Sequence, residues 1–223
     1  MTYKIKEVKE RVLCDNDAVA EKTRAELRKQ GIYFINLMGS PGAGKTSVLL
    51  RLISFLSPLY RIGVMEADVD SSVDAAAVAE AGVRVIQLHT GGLCHMDADM
   101  TARGLEELNL EGLDLVILEN VGNLVCPAEF DVGANLRMML LSVPEGDDKP
   151  LKYPLMFTVS DVLLINKIDT APIFDFDLEK AEKYARALNP DVSIFPVSAM
   201  TGEGFPALAD ALSGWIQQRR TGE

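Results

Sequence analysis

A glycine-rich segment in the first quarter of the chain has the spacing G-x-x-x-x-G-K-T of a phosphate-binding loop. Free N–H groups and the dipole of a following helix would attract phosphate oxygens, and Gly42 and Gly44 would let the backbone approach them closely. Lys45 is expected to contact the β- and γ-phosphates, and the Thr46 hydroxyl is expected to ligate Mg²⁺. The predicted phosphate-binding residues are Gly39, Ser40, Pro41, Gly42, Ala43, Gly44, Lys45, Thr46 and Ser47.

A second motif indicates which base is bound. Residues 166–169 fit N-K-x-D directly after an apolar run, although a solvated turn at a strand end is an alternative interpretation. A buried carboxylate can accept hydrogen bonds from the ring N1–H and the exocyclic amine of guanine, a donor pair that adenine lacks. A backbone N–H near Ser198 is expected to reach the base carbonyl. The sequence therefore predicts GTP or GDP rather than ATP, bound by Asn166, Lys167, Asp169, Ser198 and Ala199.

Acidic residues at the ends of two apolar runs are candidates for hydrolysis. Asp68 and Glu119 are expected to face the γ-phosphate, and Asp74 could bind Mg²⁺ or orient water, although helix caps and surface charges are the alternatives. Gly122 ends a variant of the D-x-x-G motif, in which the glycine N–H senses the γ-phosphate. No glutamine follows it, so we expect slow intrinsic turnover. The predicted catalytic residues are Lys45, Asp68, Asp74, Glu119 and Gly122, and the predicted Mg²⁺ ligands are Thr46, Asp68, Asp74 and Glu119.

Cys94, His95 and Cys126 supply two thiols and an imidazole after predicted strands. These ligands suit Zn²⁺, or Ni²⁺ in square-planar geometry, although a cysteine taken singly is more often a small core side chain. Neighbouring residues on a strand point in opposite directions, so Cys94 and His95 must lie in a turn or bridge two metals. Three ligands leave one position for water, a terminal amine or a second subunit, which makes a site shared across a dimer plausible.

Alternating strands and helices must position these residues. Strands are predicted at 32–38, 61–67, 84–88, 113–118, 137–143, 161–165 and 193–197, and the main helices at 15–30, 47–56, 97–108, 177–188 and 206–218. This pattern predicts an α/β P-loop NTPase with a mostly parallel sheet of about seven strands and helices on both faces. Residues 1–30 are expected to form a helical extension and residues 31–223 the GTPase domain.

The carboxyl ends of parallel strands meet at one edge of the sheet, where ligands bind, and the polar motifs fall there. The loop at 144–150 is long enough to suspect a function. Lys149, in this loop, and Lys152, just after it, could reach the nucleotide or a partner subunit, although solvated charges are the simpler interpretation.

Composition narrows the class of protein. The chain has 223 residues, of which 48% are hydrophobic and 25% charged, and its net charge of -11 argues against binding to nucleic acid or an anionic membrane. Its first residues lack the apolar core of a signal peptide, and no apolar run approaches the ~20 residues of a membrane span. Three cysteines without an export signal indicate reduced thiols. We therefore expect a cytoplasmic protein.

From about residue 15 onward the chain resembles the hydrogenase maturation nickel-incorporation GTPases (HypB), through the motifs GSPGAGKT, LHTGGLCHMDA, LENVGNLVCP, EGDDKPLKYP, INKID and VSAMTGEG. The resemblance implies a dimerisation-activated P-loop GTPase that forms a homodimer on GTP and helps to deliver Ni²⁺ to the [NiFe]-hydrogenase large-subunit precursor, together with another nickel-insertion factor. It also implies that Cys94, His95 and Cys126 bind Ni²⁺ or Zn²⁺. The sequence has no Cys-rich nickel motif and no His-rich tract, so high-affinity N-terminal nickel storage is not expected.

Three other functions remain open at this stage. The urease-type nickel accessory GTPases resemble the chain less, because their metal motif is Cys-Pro-His. A metal-binding module could use GTP only as a switch without significant turnover, and N-K-x-D argues against a small-molecule kinase.

Cys126 follows Glu119 by seven residues, so a loop that moves with the nucleotide would move a metal ligand. We therefore expect reciprocal coupling between nucleotide state and metal affinity.

Overall fold

The computed structural model describes the backbone of residues 8–68 and 73–221 and the side chains of residues 13–68 and 75–219. Within these ranges seven strands form one parallel sheet in the order β3-β2-β4-β1-β5-β6-β7. The strands are β1 (Tyr33–Gly39), β2 (Ile62–Asp68), β3 (Arg84–His89), β4 (Leu115–Glu119), β5 (Leu136–Ser142), β6 (Val162–Asn166) and β7 (Ser193–Pro196). Every strand boundary lies within two residues of the sequence prediction, and the α/β fold with a parallel sheet is confirmed.

Nine α-helices accompany the sheet in the described residues. They are α1 (Val8–Lys29), α2 (Lys45–Leu56), α3 (Val73–Glu80), α4 (Ala98–Leu108), α5 (Cys126–Glu129), α6 (Lys149–Lys152), α7 (Pro154–Val159), α8 (Leu178–Leu188) and α9 (Phe205–Thr221). No helix in these ranges combines the length and the apolar composition that crossing a bilayer requires.

Helices cover both faces of the sheet because alternate strand residues are apolar on both sides. On one face Leu37 and Ile117 pack with apolar side chains of α2 and α9. On the other face Phe34 and Val116 pack with α4 and Leu27 of α1, while Met139 packs with α7 and α8. The central strand β1 is buried at all seven positions, which explains its continuous apolar run.

The helix predictions were less accurate than the strand predictions. α1 begins at Val8, earlier than the predicted start at residue 15, so Asp15 and Asp17 lie inside the helix and do not cap it. Its buried stripe consists of Asn16, Ala20, Thr23 and Leu27. The segment 144–150 is not a plain loop, since a 3₁₀ turn covers Val143–Glu145 and α6 begins at Lys149. α5, α6 and α7 were not predicted, because helices of four to six residues carry no helical periodicity.

Candidate nucleotide and metal sites

The glycine-rich segment connects β1 to α2 at the carboxyl edge of the sheet. Gly44 stands directly before α2 with a φ of 96°, in the left-handed region, and a Cβ there would lie 2.6 Å from Asn166 Nδ2. Gly42 also has a positive φ, of 74°. The motif therefore needs glycine at both positions, because the backbone turns sharply beneath the space that the phosphates would occupy.

A cavity of about 660 Å³ opens over this segment. It is lined by residues 41–47 of the phosphate-binding loop except Ala43, by the carboxyl ends of β2 and β4, and by residues 120–122 and Lys167. Lys45 is buried and its Nζ donates to the Ser40 carbonyl at 3.3 Å, while Thr46 Oγ1 donates to Glu119 Oε1 at 2.9 Å. The structure thus brings the predicted lysine, hydroxyl and carboxylate to one cavity of the size of a nucleotide site.

The other predicted hydrolytic residues surround the same cavity where their side chains are described. Asp68 ends β2 on its rim, and Gly122 packs so closely on the loop that a Cβ would lie 2.9 Å from the Pro41 nitrogen. The segment after β4 is therefore in direct contact with the phosphate-binding loop. Asp74 belongs to α3, and its side chain lies outside the described residues.

Glu66 and Gln87 are polar side chains of the cavity wall that sequence reasoning missed. Glu66 is buried beside Glu119, its register partner on β4, and beside Gln87, its register partner on β3. Gln87 Nε2 donates to the Glu66 carbonyl at 3.0 Å. The available signal was a glutamate and a glutamine inside otherwise apolar strand runs, since a buried carboxylate is costly without a compensating partner.

The N-K-x-D residues lie on the far side of the phosphate-binding loop. Lys167 Nζ donates to the Gly42 carbonyl at 2.7 Å, and Asn166 Nδ2 donates to the Ala43 carbonyl at 3.0 Å. These two bonds fix the motif against the phosphate-binding loop. Asp169 lines a separate cavity of about 400 Å³ beside Ala199.

Hydrogen bonds from the last strand's loop orient these base-site residues. Ser198 Oγ donates to Asp169 Oδ1 at 2.5 Å, and the Ala199 N–H donates to Asn166 Oδ1 at 3.2 Å. One carboxylate oxygen of Asp169 is therefore held by a hydroxyl, which orients the second oxygen. All five residues predicted to bind guanine lie together in this part of the folded protein.

The segment 143–153 contacts the phosphate-binding loop from a third side. Ser40 Oγ donates to Glu145, whose other carboxylate oxygen accepts from the Ser142 N–H and Oγ at 2.8 Å each. Lys149 Nζ lies 3.8 Å from Glu145, whereas Lys152 pairs with Asp148 at 2.7 Å on the surface. Of the two lysines singled out from the sequence, Lys149 is thus the one linked to the loop.

Cys94, His95 and Cys126 converge at the same edge of the sheet. The two thiol sulfurs are 3.0 Å apart, Cys94 Sγ is 4.0 Å from His95 Nδ1, and all three donor groups lie within 4.8 Å of one another. Gly91 and Gly92, with φ of 63° and 95°, turn the chain so that adjacent Cys94 and His95 face the same point. Three donor groups gathered so closely could hold one cation.

The surroundings of this group affect its protonation. Burial lowers the pKa of His95, although Asp97 and Glu129 oppose the shift, so the imidazole is in its neutral, ligating form at neutral pH. The hydrogen bond with Cys94 raises the pKa of Cys126, and burial raises it further. Because the pKa of Cys126 is raised, a bound cation would displace a proton from this thiol. The His95 ring also stacks on Phe130 at a centroid distance of 4.1 Å, which fixes its plane.

Comparison with known proteins adds the family context. The family model described as CobW/HypB/UreG, nucleotide-binding domain, matches residues 33–196. The Hydrogenase maturation factor HypB of Azotobacter chroococcum mcd 1 is 44% identical over 216 residues, which are 96% of this chain and 69% of that protein.

Two solved structures are similar over nearly the whole chain. The crystal structure of HypB from Helicobacter pylori in complex with nickel has a TM-score of 0.86 and 36% identity, with 93% of this chain and 96% of that one covered. The hydrogenase maturation factor HypB from Archaeoglobus fulgidus has a TM-score of 0.85 and 39% identity, with 92% and 100% covered.

Proposed function

Because this chain belongs to the HypB hydrogenase maturation factors of the CobW/HypB/UreG family, we propose that it is a GTP-hydrolysing metallochaperone that assists nickel insertion into a [NiFe]-hydrogenase precursor. One observation carries this proposal above all others. The segment from Glu119 to Cys126 runs from the nucleotide cavity to the thiol–imidazole group, so both sites share one short stretch of chain.

The residues around the cavity fit GTP and Mg²⁺. Lys45 would neutralise phosphate charge, and the glycines would leave backbone N–H groups facing phosphate oxygens. The Thr46 hydroxyl and the carboxylates of Asp68, Asp74 and Glu119 would hold Mg²⁺, which supplies charge neutralisation at the phosphates when bound. The close contact between Thr46 and Glu119 supports this set, since hydroxyl and carboxylate oxygens are ligands that Mg²⁺ prefers.

Guanine specificity rests on Asp169 and the groups that orient it. Its carboxylate would accept the two N–H donors of guanine, and the Ala199 N–H would face the base carbonyl. Lys167 would extend its aliphatic stem along the ring while its Nζ stays at the phosphate-binding loop. An adenine would leave the carboxylate without donors, and that desolvation cost disfavours ATP.

Hydrolysis is proposed to be slow in the isolated chain. Gly122 would sense the γ-phosphate, but no glutamine follows it to orient a water molecule. Dimerisation on GTP would supply the missing groups. Lys149 is a candidate, because Glu145, beside which it lies, is hydrogen-bonded to Ser40 of the phosphate-binding loop. The homodimer, like the GTP dependence of its formation, is part of the proposal.

Nickel is the proposed cargo, with Zn²⁺ as the alternative occupant of the same site. Cys94, His95 and Cys126 would bind it, and a fourth ligand from water, a terminal amine or a second copy would complete the sphere. The proposed partners are another nickel-insertion factor and the hydrogenase large-subunit precursor. A cytoplasmic location and the division into an extension at 1–30 and a GTPase domain at 31–223 remain part of this proposal.

Phosphate release under multiple turnover is the direct test of GTP hydrolysis. With excess GTP and Mg²⁺ we expect several phosphates per chain, and none above background for Lys45→Ala, because the loop then lacks its phosphate-neutralising cation. A single-turnover burst that stops would instead support a module that only switches with GTP.

Metal stoichiometry tests the second half of the proposal. We expect one Ni²⁺ or Zn²⁺ per chain, or one per two chains if a dimer shares the site, measured by competition with a chromophoric chelator. Cys126→Ser should abolish this binding, whereas Cys14→Ser should not, because the thiol of Cys14 is not part of the group formed by Cys94, His95 and Cys126. Equal affinities in the two variants would leave only a GTPase domain.

A further inference from the structure

The strap 94–96, which carries two of the candidate metal ligands, is held by side-chain amides from the segment after β4. Asn120 Oδ1 accepts from the Met96 N–H at 3.3 Å, and Asn123 Nδ2 donates to the Cys94 carbonyl at 3.2 Å. The two amides thus hold the backbone on both sides of His95. Neither asparagine was among the residues singled out from the sequence.

The two amides differ in what lies behind them. Asn120 is buried, and its Nδ2 donates to Asn36 Oδ1 of β1 at 3.1 Å, so it ties Met96 to the rigid centre of the sheet. Asn123 is half-buried, and its own N–H donates to the Gly39 carbonyl at 3.1 Å. Gly39 is the last residue of β1 and the first of the phosphate-binding loop, so Asn123 ties Cys94 to the point where the sheet passes into the segment that phosphates would contact.

Asn123 also acts on the second thiol. Its Oδ1 accepts from the Val125 N–H at 2.9 Å, which shapes the turn that leads directly into Cys126. One side chain therefore touches the backbone beside both cysteines, while its main chain touches the phosphate-binding loop. A shift of Asn123 relative to the sheet would change the separation of the two sulfurs, now 3.0 Å.

We propose that Asn123 is a positioning residue that links the phosphate-binding loop to the metal ligands, so that the nucleotide state sets the geometry of the two thiols. The inference rests on the proposed function and names the residue through which its two sites communicate. Coupling of this kind requires an element whose position both ligands bias. Asn123 is hydrogen-bonded both to the phosphate-binding loop and to the Cys94 end of the strap. Asn120 fixes the Met96 end of the strap to the sheet. A shift of Asn123 would therefore move Cys94 while Met96 stays in place.

Two substitutions separate the amide from the turn. Asn123→Ala removes the side-chain bonds to the Cys94 carbonyl and the Val125 N–H, whereas Asn123→Asp keeps an acceptor for the Val125 N–H and loses the donor to the Cys94 carbonyl. The aspartate also adds a negative charge beside the cation and should raise metal affinity overall, while alanine should not. The two variants should thus differ in their Ni²⁺ affinity averaged over the two nucleotide states, although both lack the hydrogen bond to the Cys94 carbonyl.

Asn189 provides a matched control. Its Nδ2 donates to the Ser160 carbonyl at 2.9 Å and its Oδ1 accepts from the N–H two residues ahead, that of Asp191, at 3.1 Å. This is the same bonding pattern as at Asn123. Ser160 precedes β6, so the bond lies at the amino end of the sheet, away from both sites. Asn189→Ala and Asn189→Asp should leave the coupling intact.

The experiment measures the dissociation constant of Ni²⁺ by chelator competition, with the full chain loaded with GDP or with a non-hydrolysable GTP analogue. For the unmodified protein and both Asn189 variants we expect the two constants to differ by about fivefold or more, the lower range of measured couplings. For both Asn123 variants the ratio should fall to within about twofold of one. Circular dichroism spectra of each variant should match that of the unmodified protein, as a control for folding.

The possible outcomes distinguish this inference from the proposed function. A ratio that persists in both Asn123 variants, with both constants shifted alike, would show a merely structural role and overturn the inference. An unmodified protein that binds Ni²⁺ equally in both nucleotide states also overturns it, yet leaves GTP hydrolysis and metal binding standing. An unmodified protein that binds no metal refutes the proposed function itself.

Discussion

At the scale of single residues, two kinds of constraint define the candidate nucleotide site. Gly44 has a positive φ and no room for a Cβ, so its role is to leave space. Asp169 is oriented by the Ser198 hydroxyl, so its proposed role is to present its carboxylate to the base in a fixed orientation. The first constraint concerns the shape of the backbone and the second concerns charge and hydrogen bonding. Substitutions should therefore affect the site in different ways.

Asp169→Asn tests the base site. The variant replaces a charged acceptor with an amide that cannot accept both guanine donors, and a hydrogen bond to a charged group contributes about 2 kcal/mol. We expect GTP affinity to fall by roughly thirtyfold or more, without a gain in ATP affinity, as measured with fluorescent nucleotide analogues. Asp191→Asn, on an exposed residue, is the control. Unchanged GTP affinity would contradict the assigned role of Asp169.

Gly44→Ala tests the backbone constraint. The added Cβ would meet Asn166 Nδ2 at 2.6 Å in a conformation that L-residues rarely adopt, so we expect nucleotide binding to be lost and the thermal midpoint to fall. Gly214→Ala is the matched control, because α9 is helical there and nothing lies within 4 Å of the new Cβ. That variant should be more stable by about 0.5–1 kcal/mol, as measured by chemical denaturation. Similar effects at both positions would contradict this account.

At the scale of elements, the parallel strands do most of the positioning. Because each strand runs in the same direction, the segments after β1, β3, β4 and β6 all emerge at one edge, where the predicted motifs meet. α1 reinforces that edge, since Asn16 Oδ1 accepts from the Ala98 N–H at 2.8 Å at the start of α4, just after the strap 94–96. The opposite edge carries the strand starts, among them Tyr33.

Tyr33 gives the sheet's amino edge a measurable pH dependence. Burial raises the pKa of Tyr33 to about 12, with a further rise from Asp161 and an opposing effect of Arg219. The unfolded chain loses this proton first, near pH 10, so the contribution to stability is complete below pH 10 and is lost as pH rises towards 12. Tyr33→Phe should reduce the decline of unfolding free energy over this interval, as measured by chemical denaturation. Identical declines in both proteins would refute the assignment.

At the scale of the whole molecule, the two candidate sites share one edge and one connecting segment. Glu119 hydrogen-bonds to Thr46, Gly122 packs on Pro41, and Cys126 ends the segment beside Cys94. A ligand at either site would therefore contact a segment of chain that also carries residues of the other site. The expected consequence is thermodynamic linkage, which should be visible in the stability of the protein as well as in its affinities.

Thermal unfolding with each ligand alone and with both together measures this linkage. A GTP analogue at about a hundred times its dissociation constant should stabilise the protein by roughly 2.7 kcal/mol, which corresponds to a midpoint increase of about 5–10 °C for a domain of this size. Ni²⁺ should raise the midpoint as well. The increase with both ligands should differ from the sum of the separate increases, measured at fixed total concentrations. Additive increases would contradict the linkage.

Much of the fold could be predicted because strands and motifs carry local signals. The apolar run before Gly39 and the helical spacing after Thr46 identify β1 and α2, and all seven strands were found in this way. Short helices escaped prediction, as α5 and α6 show, because their formation depends on tertiary contacts rather than on periodicity. Glu66 and Gln87 were missed as site residues for a related reason, since only strand register brings them beside Glu119.

By itself the sequence determined which chemical groups are available: a P-loop motif, the carboxylate of an N-K-x-D motif, and two thiols with one imidazole. These follow from residue types at fixed spacings, which hold along the chain regardless of how distant parts pack. Only the tertiary structure decided that the thiols and imidazole lie within 4.8 Å of one another and that Asn123 joins them to Gly39. Such contacts join residues far apart in the chain, and they exist only once the parallel sheet has brought its strand ends together.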